Sequence, residues 1–215
     1  MRVGIYGGCF NPIHFGHMSL IDEVSDKFNL DKVIFVPNLN PYYKVHREIK
    51  FEDVSSMIRL AMKDNILFQI SDLESSTKEE HFTFNTITEL LEQHSNERLF
   101  LIVGSDQFLQ MKSWYKFDEI NKIVDVIVPI RAPYLIDSEQ IISTKENYLK
   151  LKLYKDTMFF KNENNKVLIF YDLIKKIDIS SSQLIEYINL GDFDKLKKFI
   201  PLSVIDFIVE NRLYK

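Results

Sequence analysis

The sequence lacks the features of a secreted or membrane-embedded protein. It has one cysteine, Cys9, in 215 residues, so no internal disulfide can form and a reducing compartment is expected. Its longest apolar runs, at residues 34–37, 99–103 and 126–130, are far shorter than the roughly 20 residues of a membrane-spanning helix. The opening MRVGIYGGCF shows no signal peptide. We therefore expect a cytoplasmic protein without membrane association.

An excess of basic charge is also missing. Lys and Arg number 27 against 31 Asp and Glu, for a formal net charge of −4. A dedicated nucleic-acid-binding protein needs a basic face to attract polyphosphate, so a nucleic-acid partner is not expected. A small phosphate ligand in one local pocket remains compatible with this charge. The composition, 46% hydrophobic and 27% charged, is typical of a globular protein.

Glycine is scarce and unevenly placed. Of the six glycines, Gly4, Gly7, Gly8 and Gly16 fall within the first sixteen residues. Glycine is retained where the backbone must bend sharply or approach a ligand closely. The N-terminal segment is therefore the first place to look for a binding site.

Short apolar segments alternate with amphipathic ones along most of the chain. The pattern predicts strands at residues 2–6, 32–36, 67–70, 99–103, 124–130 and 167–171, and helices at 15–28, 53–63, 86–94 and, mostly, 107–123. After residue 178 we expect helix, with breaks at Gly191 and Pro201. Buried strands separated by helices indicate an α/β fold: a Rossmann-like, doubly wound parallel sheet with a C-terminal helical segment.

One stretch departs from this alternation. Residues 138–166 are rich in Lys, Asn and Glu, and we interpret them as a surface insertion of mixed helix and loop. The sequence shows no internal repeat and no linker. We therefore expect a single domain over residues 1–215, carrying this insertion.

Polar residues follow several of the predicted strands directly. They lie in segments 7–11, 37–38, 104–106 and 178–182, and at Arg131. Ligands of open parallel sheets bind at the carboxyl ends of the strands, near the point where strand order reverses. Five separate segments therefore predict one site at one edge of the sheet.

The segment GGCFNPIHFGH, residues 7–17, is the most informative of the five. His14 and His17 are three residues apart, so both project from one side of the first turn of the predicted helix. Free N–H groups and the helix dipole favour an anion there. The chain contains neither a GxxxxGK[ST] loop nor a GxGxxG fingerprint. Two alternatives stay open: histidines that only cap or pack the helix, and a zinc site with Cys9.

These residues resemble the signature GGxFxPxHxGH of the nucleotidyltransferases with a paired-histidine helix, and the Asn-Pro variant is similar to bacterial nicotinate-nucleotide adenylyltransferases. Further segments resemble that family's motifs: PNLNPYYK at 37–44, HFTFNTI at 81–87, IVGSDQFLQMKSWYKFDEI at 102–120, VIVPIRAPY at 126–134 and DISSS at 178–182. The resemblance covers most of the chain except residues 138–166.

The resemblance implies adenylyl transfer from ATP to nicotinate mononucleotide, with release of pyrophosphate and Mg²⁺ delivered with ATP. The catalytic residues it implies are His14, His17 and Lys44. The ATP-binding residues it implies are Gly7, Gly8, Cys9, Phe10, Gly104, Asp106, Arg131, Ser180, Ser181 and Ser182. The mononucleotide-binding residues are Asn38, Thr83, Trp114 and Tyr115. We expect a monomer or homodimer with small-molecule partners.

Several of these residues also have a purely structural interpretation. Asp106 could be a helix N-cap, Trp114 a core residue, and the three serines a helix cap. The chain also departs from the family pattern, since Ile185 stands where the last motif carries an arginine that supplies charge to ATP. The alternatives are therefore a related enzyme with another acceptor, such as nicotinamide mononucleotide or phosphopantetheine, and a nucleotide-binding sensor without turnover.

Overall fold

The computed structural model describes residues 1–38, 49–63, 65, 67–76, 81–130, 157–173 and 177–214, and the backbone of residues 148–154. The strands in these ranges are β1 (Arg2–Gly8), β2 (Lys32–Pro37), β3 (Phe68–Ile70), β4 (Arg98–Ile102), β5 (Asp125–Ile130), β6 (Tyr148–Tyr154), β7 (Thr157–Asn162) and β8 (Val167–Asp172). They form one sheet in the order β3-β2-β1-β4-β5-β8-β7-β6.

The strands from β3 to β8 in that order pair in parallel. Strands β6 and β7 are antiparallel and extend the sheet beyond β8. The order of the parallel strands reverses between β1 and β4, because β2 and β3 lie on one side of β1 while β5 and β8 lie beyond β4. This is the doubly wound arrangement, and the predicted fold class is confirmed.

The helices cover both faces of the sheet. They are α1 (Phe15–Phe28), α2 (Phe51–Ala61), α3 (Thr83–Gln93), α4 (Ser105–Phe108), α5 (Phe117–Ile123), α6 (Ser181–Leu190), α7 (Phe193–Leu196) and α8 (Leu202–Glu210), with a 3₁₀ turn at Met111–Ser113. Buried residues of α1, α2, α6, α7 and α8 form one apolar cluster, and those of α3, α4 and α5 form the other. Neighbouring strand residues point to opposite clusters, as Phe35 and Ile34 do in β2.

The helix predicted over residues 107–123 is divided into α4, the 3₁₀ turn and α5. Trp114 has extended backbone, with φ −70° and ψ 144°, and Lys116 precedes α5 in the left-handed region, with φ 53°. A helix cannot pass through either conformation. The predicted break at Gly191 is confirmed: its φ of 68° ends α6 in the left-handed cap that glycine adopts most readily.

The prediction of mixed helix and loop at residues 138–166 is wrong for its described part. Residues 148–154 and 157–162 form the antiparallel strands β6 and β7 instead. Phe160 is fully buried and packs edge to face on Phe170 of β8, with ring centroids 5.8 Å apart. Its burial in the second apolar cluster makes β7 part of the core.

We predict that Phe160→Ala lowers the free energy of unfolding by about 3–5 kcal/mol, since it removes a buried ring from a packed cluster. Urea denaturation would measure the loss. Phe159→Ala, at the half-buried neighbouring position, is the matched control and should destabilise less. A loss below about 1 kcal/mol for Phe160→Ala would mean that β7 does not belong to the core.

Candidate active site

The loops that follow β1 and β4 lie side by side at the carboxyl edge of the sheet. β1 and β4 are paired, with Tyr6 opposite Ile102 at the end of the register. Because the strand order reverses between these two strands, the edge opens into a crevice at this place. Residues 7–14 and 103–106 are therefore neighbours, as the sequence predicts.

The loop after β1 is held by an aromatic cluster. Phe10 is 1% exposed and has a φ of 45°, an uncommon conformation for a bulky side chain. Its ring packs edge to face on Tyr6 and Phe35, with centroids 5.3 and 5.2 Å apart. The same ring contacts the His17 imidazole, with centroids 5.2 Å apart. A strained backbone held by several rings fixes the loop beside the histidines.

His14 and His17 form a stacked pair of imidazoles. His14 is the N-cap of α1 and is 2% exposed. The two rings are 3.7 Å apart between centroids, with an interplanar angle of 28°. The backbone N–H of His14 donates to Nδ1 of His17 over 3.3 Å. In a neutral imidazole an accepting Nδ1 leaves the proton on Nε2, so His17 is held as an Nε2–H donor.

Gly16 is required by this arrangement. A Cβ at this position would lie 2.9 Å from Nδ1 and 3.0 Å from Cε1 of His14, and 3.5 Å from the carbonyl oxygen of Ile177. The His14 ring cannot retreat easily because it is stacked on His17. A glycine between the two histidines therefore allows the ring of the first to lie against the start of the helix.

The backbone N–H groups at the start of α1 are less available than the sequence predicts. The N–H of Phe15 donates to the carbonyl of Phe199 over 2.7 Å, and the N–H of His17 donates to the carbonyl of His14 over 2.9 Å. The dipole of α1 still favours an anion at this end. These two backbone groups are therefore already used within the protein.

The start of α6, which is distant in sequence, also lies beside the histidine pair. Ser180 is its N-cap and accepts from the N–H of Gln183 over 3.3 Å, so the capping interpretation holds for this serine. Ser181 Oγ donates to the carbonyl of Pro12 over 3.1 Å, and Ser182 is exposed on the first turn. The positive ends of α1 and α6 thus meet beside the histidine pair.

Ile185, where the family motif carries an arginine, lies in the second turn of α6 and is 5% exposed. At this position an aliphatic side chain is packed away from solvent. The substitution by isoleucine is therefore accommodated by packing, and the positive charge of the motif is absent from this turn of α6.

Gly7 and Gly8 form the end of β1, and Cys9 follows it. The two glycines differ in whether packing requires a glycine at that position. A Cβ on Gly8 would lie 3.1 Å from the Phe10 ring, whereas a Cβ on Gly7 would meet nothing within 4 Å. Packing therefore explains Gly8 but not Gly7. Across the crevice, Gly104 is the N-cap of α4 and Asp106 is its second residue, so Asp106 is not the cap.

The residues predicted for the mononucleotide come from three places: the end of β2, the start of α3, and the segment between the 3₁₀ turn and α5. The N–H of Asn38 donates to the carbonyl of Gly8 over 2.9 Å, which ties the end of β2 to β1. Thr83 is the first residue of α3. Tyr115 is 46% exposed and packs on Phe82, with ring centroids 4.8 Å apart, so Thr83 and Tyr115 are close. Trp114 is half-buried against the second apolar cluster and is thus partly a core residue.

A buried carboxylate that the sequence analysis missed lies beside these residues. Glu74 is 6% exposed and accepts from Oγ1 of Thr86 over 2.6 Å. Burial raises its pKa above the ordinary 4.5, while bonds from Thr86 and Asn38 and the nearby His81 oppose that rise. A single glutamate in a polar stretch carries no sequence signal of burial, because burial depends on tertiary packing.

Lys44 and Arg131 lie outside the described residues. Within the described ranges no group of three His, Cys, Asp or Glu side chains could hold a metal ion, so the alternative zinc site with Cys9, His14 and His17 is not found there. No helix in the same ranges is long and apolar enough to cross a membrane.

The fold and the paired-histidine site define the class of protein. Residues 5–187 match the cytidylyltransferase-like family. This match spans the histidine pair, both sides of the crevice and most of α6.

Curated relatives narrow the class. A Geobacter sulfurreducens protein named as a probable nicotinate-nucleotide adenylyltransferase is 39% identical over 220 residues, covering 100% of this chain and 98% of the relative. A Geobacter metallireducens protein of the same name is 33% identical over 215 residues, with the same coverage. The chain belongs to the nicotinate-nucleotide adenylyltransferase family, and the resemblance stated from its motifs is confirmed.

A solved structure agrees in fold. The Plasmodium falciparum nicotinic acid mononucleotide adenylyltransferase complexed with NaAD superposes with a TM-score of 0.77 at 21% identity, covering 99% of this chain and 97% of that one. At this identity the likeness concerns the fold. It agrees with the doubly wound sheet described above.

We predict that Gly16→Ala lowers turnover at least about tenfold, because the new methyl displaces the His14 ring and the stacked His17 with it. Helix propensity alone favours alanine by about 1 kcal/mol, so stability should not fall in parallel. Steady-state kinetics and thermal unfolding would separate the two effects. Ser25→Ala, on the same helix, is the control and should retain activity. Unchanged turnover in Gly16→Ala would contradict the role given to this glycine.

Proposed function

We propose that this chain catalyses adenylyl transfer from ATP to nicotinate mononucleotide, forming deamido-NAD and pyrophosphate, in the cytoplasm. The stacked His14–His17 pair at the reversal of strand order carries the proposal. Two helix N-termini and an imidazole N–H donor converge there, an arrangement suited to a polyphosphate. The names of the curated relatives support the choice of substrates.

The reaction needs no covalent enzyme intermediate. A phosphate oxygen of the mononucleotide attacks the α-phosphorus of ATP and forms the new P–O bond. The bond between the α-phosphorus and the bridging oxygen breaks, and pyrophosphate leaves with the electron pair. Catalysis then consists of positioning and of stabilising charge on the transferred group. In this proposal Nε2–H of His17 would donate to a non-bridging α-phosphate oxygen, and His14, which is stacked on His17, would hold the ring in place.

The two sides of the crevice take the two nucleotides. On the ATP side, Gly7, Gly8, Cys9 and Phe10 would line the nucleotide, Gly104 and Asp106 would hold its adenosine, and the α6 serines would face its phosphates. On the other side, Asn38, Thr83, Trp114 and Tyr115 would hold the mononucleotide, with Trp114 offering a flat face to the pyridine ring. Lys44 and Arg131 are proposed to meet phosphate on the strength of the family motif alone.

Mg²⁺ enters this proposal as part of the substrate. The described residues offer no carboxylate cluster dedicated to it, and Mg²⁺ is commonly held by nucleotide phosphates with few protein ligands. We therefore assign no step to a metal held by the protein.

Pyrophosphate release from Mg-ATP tests the proposal, with nicotinate mononucleotide, nicotinamide mononucleotide and phosphopantetheine offered in parallel. We expect turnover with nicotinate mononucleotide, and a loss of about 100-fold or more in His17→Ala, since a donor to the developing charge is removed. Preference for another acceptor would identify a related enzyme instead. Silence with all three, while ATP still raises the melting temperature, would indicate a nucleotide-binding sensor.

Gly7 gives a second test that separates ligand contact from folding. A Cβ added at this position would enter open space. We therefore predict that Gly7→Ala keeps the wild-type melting temperature. We also predict a higher KM for ATP, because the methyl occupies room that the nucleotide needs. Thermal unfolding and ATP-dependent kinetics would measure both quantities. An unchanged KM would remove Gly7 from the ATP site.

A further inference from the structure

Glu74 is a buried carboxylate that the proposed reaction does not use. It is 6% exposed and lies between the end of β2 and α3. Thr86 of α3 donates its hydroxyl to Oε1 over 2.6 Å, and the side-chain amide of Asn38 forms a second hydrogen bond to the same carboxylate. The carboxylate therefore joins two elements that flank the proposed mononucleotide site.

Folding alone does not favour an ionised carboxylate at this position. Burial raises the pKa of Glu74 above its ordinary 4.5, despite the opposing influence of Thr86, His81 and Asn38. A raised pKa in the folded state means that protonation favours folding, so stability falls as the pH rises from 4.5 through the raised value. A charged group retained at a cost in stability is a candidate for a functional role.

The two hydrogen-bond partners of Glu74, Thr86 and Asn38, are each close to predicted site residues. Thr86 lies one turn after Thr83 on α3, and the Asn38 backbone is bonded to Gly8 at the end of β1. A carboxylate only accepts hydrogen bonds, so it selects the Nδ2 end of the Asn38 amide. The carbonyl oxygen and second N–H of that amide then have a defined orientation.

We propose that Glu74 is a positioning residue for the acceptor nucleotide, and that it acts by fixing the orientation of the Asn38 side-chain amide from its anchor on Thr86. The inference rests on the proposed function, because Asn38 serves the mononucleotide there. Glu74 does not contact the reacting phosphates in this scheme. It sets the affinity for the acceptor and leaves the ATP side unchanged.

Glu74→Gln tests the proposal while keeping the size of the side chain. Glutamine replaces one of the two accepting oxygens with a donor, so the hydrogen bonds from Thr86 and Asn38 must share a single oxygen, or the second partner meets an N–H group instead. We expect the KM for nicotinate mononucleotide to rise about fivefold to tenfold, the equivalent of one hydrogen bond. The KM for ATP should stay within about twofold, since the ATP side does not depend on this contact.

A double-mutant cycle shows whether Glu74 acts through Asn38. In the Asn38→Ala background, Glu74→Gln should raise the acceptor KM by less than about twofold, because the group it positions is gone. If Glu74→Gln raises the acceptor KM by the same factor in the Asn38→Ala background as in the wild type, the proposal is overturned. Asp125→Asn is the matched control: this buried carboxylate lies at the opposite edge of the sheet, at the start of β5, and accepts from Arg98 over 2.7 Å. It should change stability and neither KM.

An NMR measurement keeps this inference separate from the proposed function. The side-chain amide signals of Asn38, assigned with Asn38→Ala, should shift in Glu74→Gln and stay in place in Asp125→Asn. If the wild type does not use nicotinate mononucleotide, the proposed function fails, and the Asn38 signals still decide the positioning. Unmoved Asn38 signals, or equal rises in both KM values, would overturn the proposal.

Discussion

The stacking of His14 on His17 is the contact on which the rest of the site depends. It needs the His14 N–H to Nδ1 bond, which orients the second ring, and it needs Gly16, which leaves room for the first. Phe10 supports His17 from the strand side at the cost of a left-handed backbone. In the proposed reaction, an imidazole held in this way would keep its orientation when charge moves on a bound phosphate.

Distant parts of the chain keep this pair at the edge of the sheet. Ser181 donates to Pro12, and Phe15 donates to Phe199, so the C-terminal segment is bonded to the loop and helix that carry the histidines. Asn38 bonds to Gly8 from the other side. The crevice is therefore built from both halves of the chain, which is consistent with family motifs spread over most of the sequence.

Local patterns predicted much of this structure. α1 was predicted over residues 15–28, where the helix lies, because its apolar period is clear and His14 precedes it. The prediction of mixed helix and loop at 138–166 is wrong because the Lys, Asn and Glu content of this segment masks the alternation in YLKLKLY, which forms β6. The environments of Ile185 and Glu74 are features that the sequence does not predict. Whether an isoleucine is packed or a glutamate is buried depends on neighbours distant in sequence, which no local pattern contains.

The most direct test of the central claim is a ¹⁵N spectrum of the imidazoles, recorded while a non-hydrolysable ATP analogue is added. The chain has five histidines, and His17→Ala would assign the signal of interest. In mildly alkaline solution, where an ordinary imidazole is neutral, we expect the Nε2–H tautomer for His17. We also expect its signal to shift on adding the analogue by more than the signal of His94, at the far end of α3. An Nδ1–H tautomer, or a His17 signal that does not move at saturation, would contradict this claim.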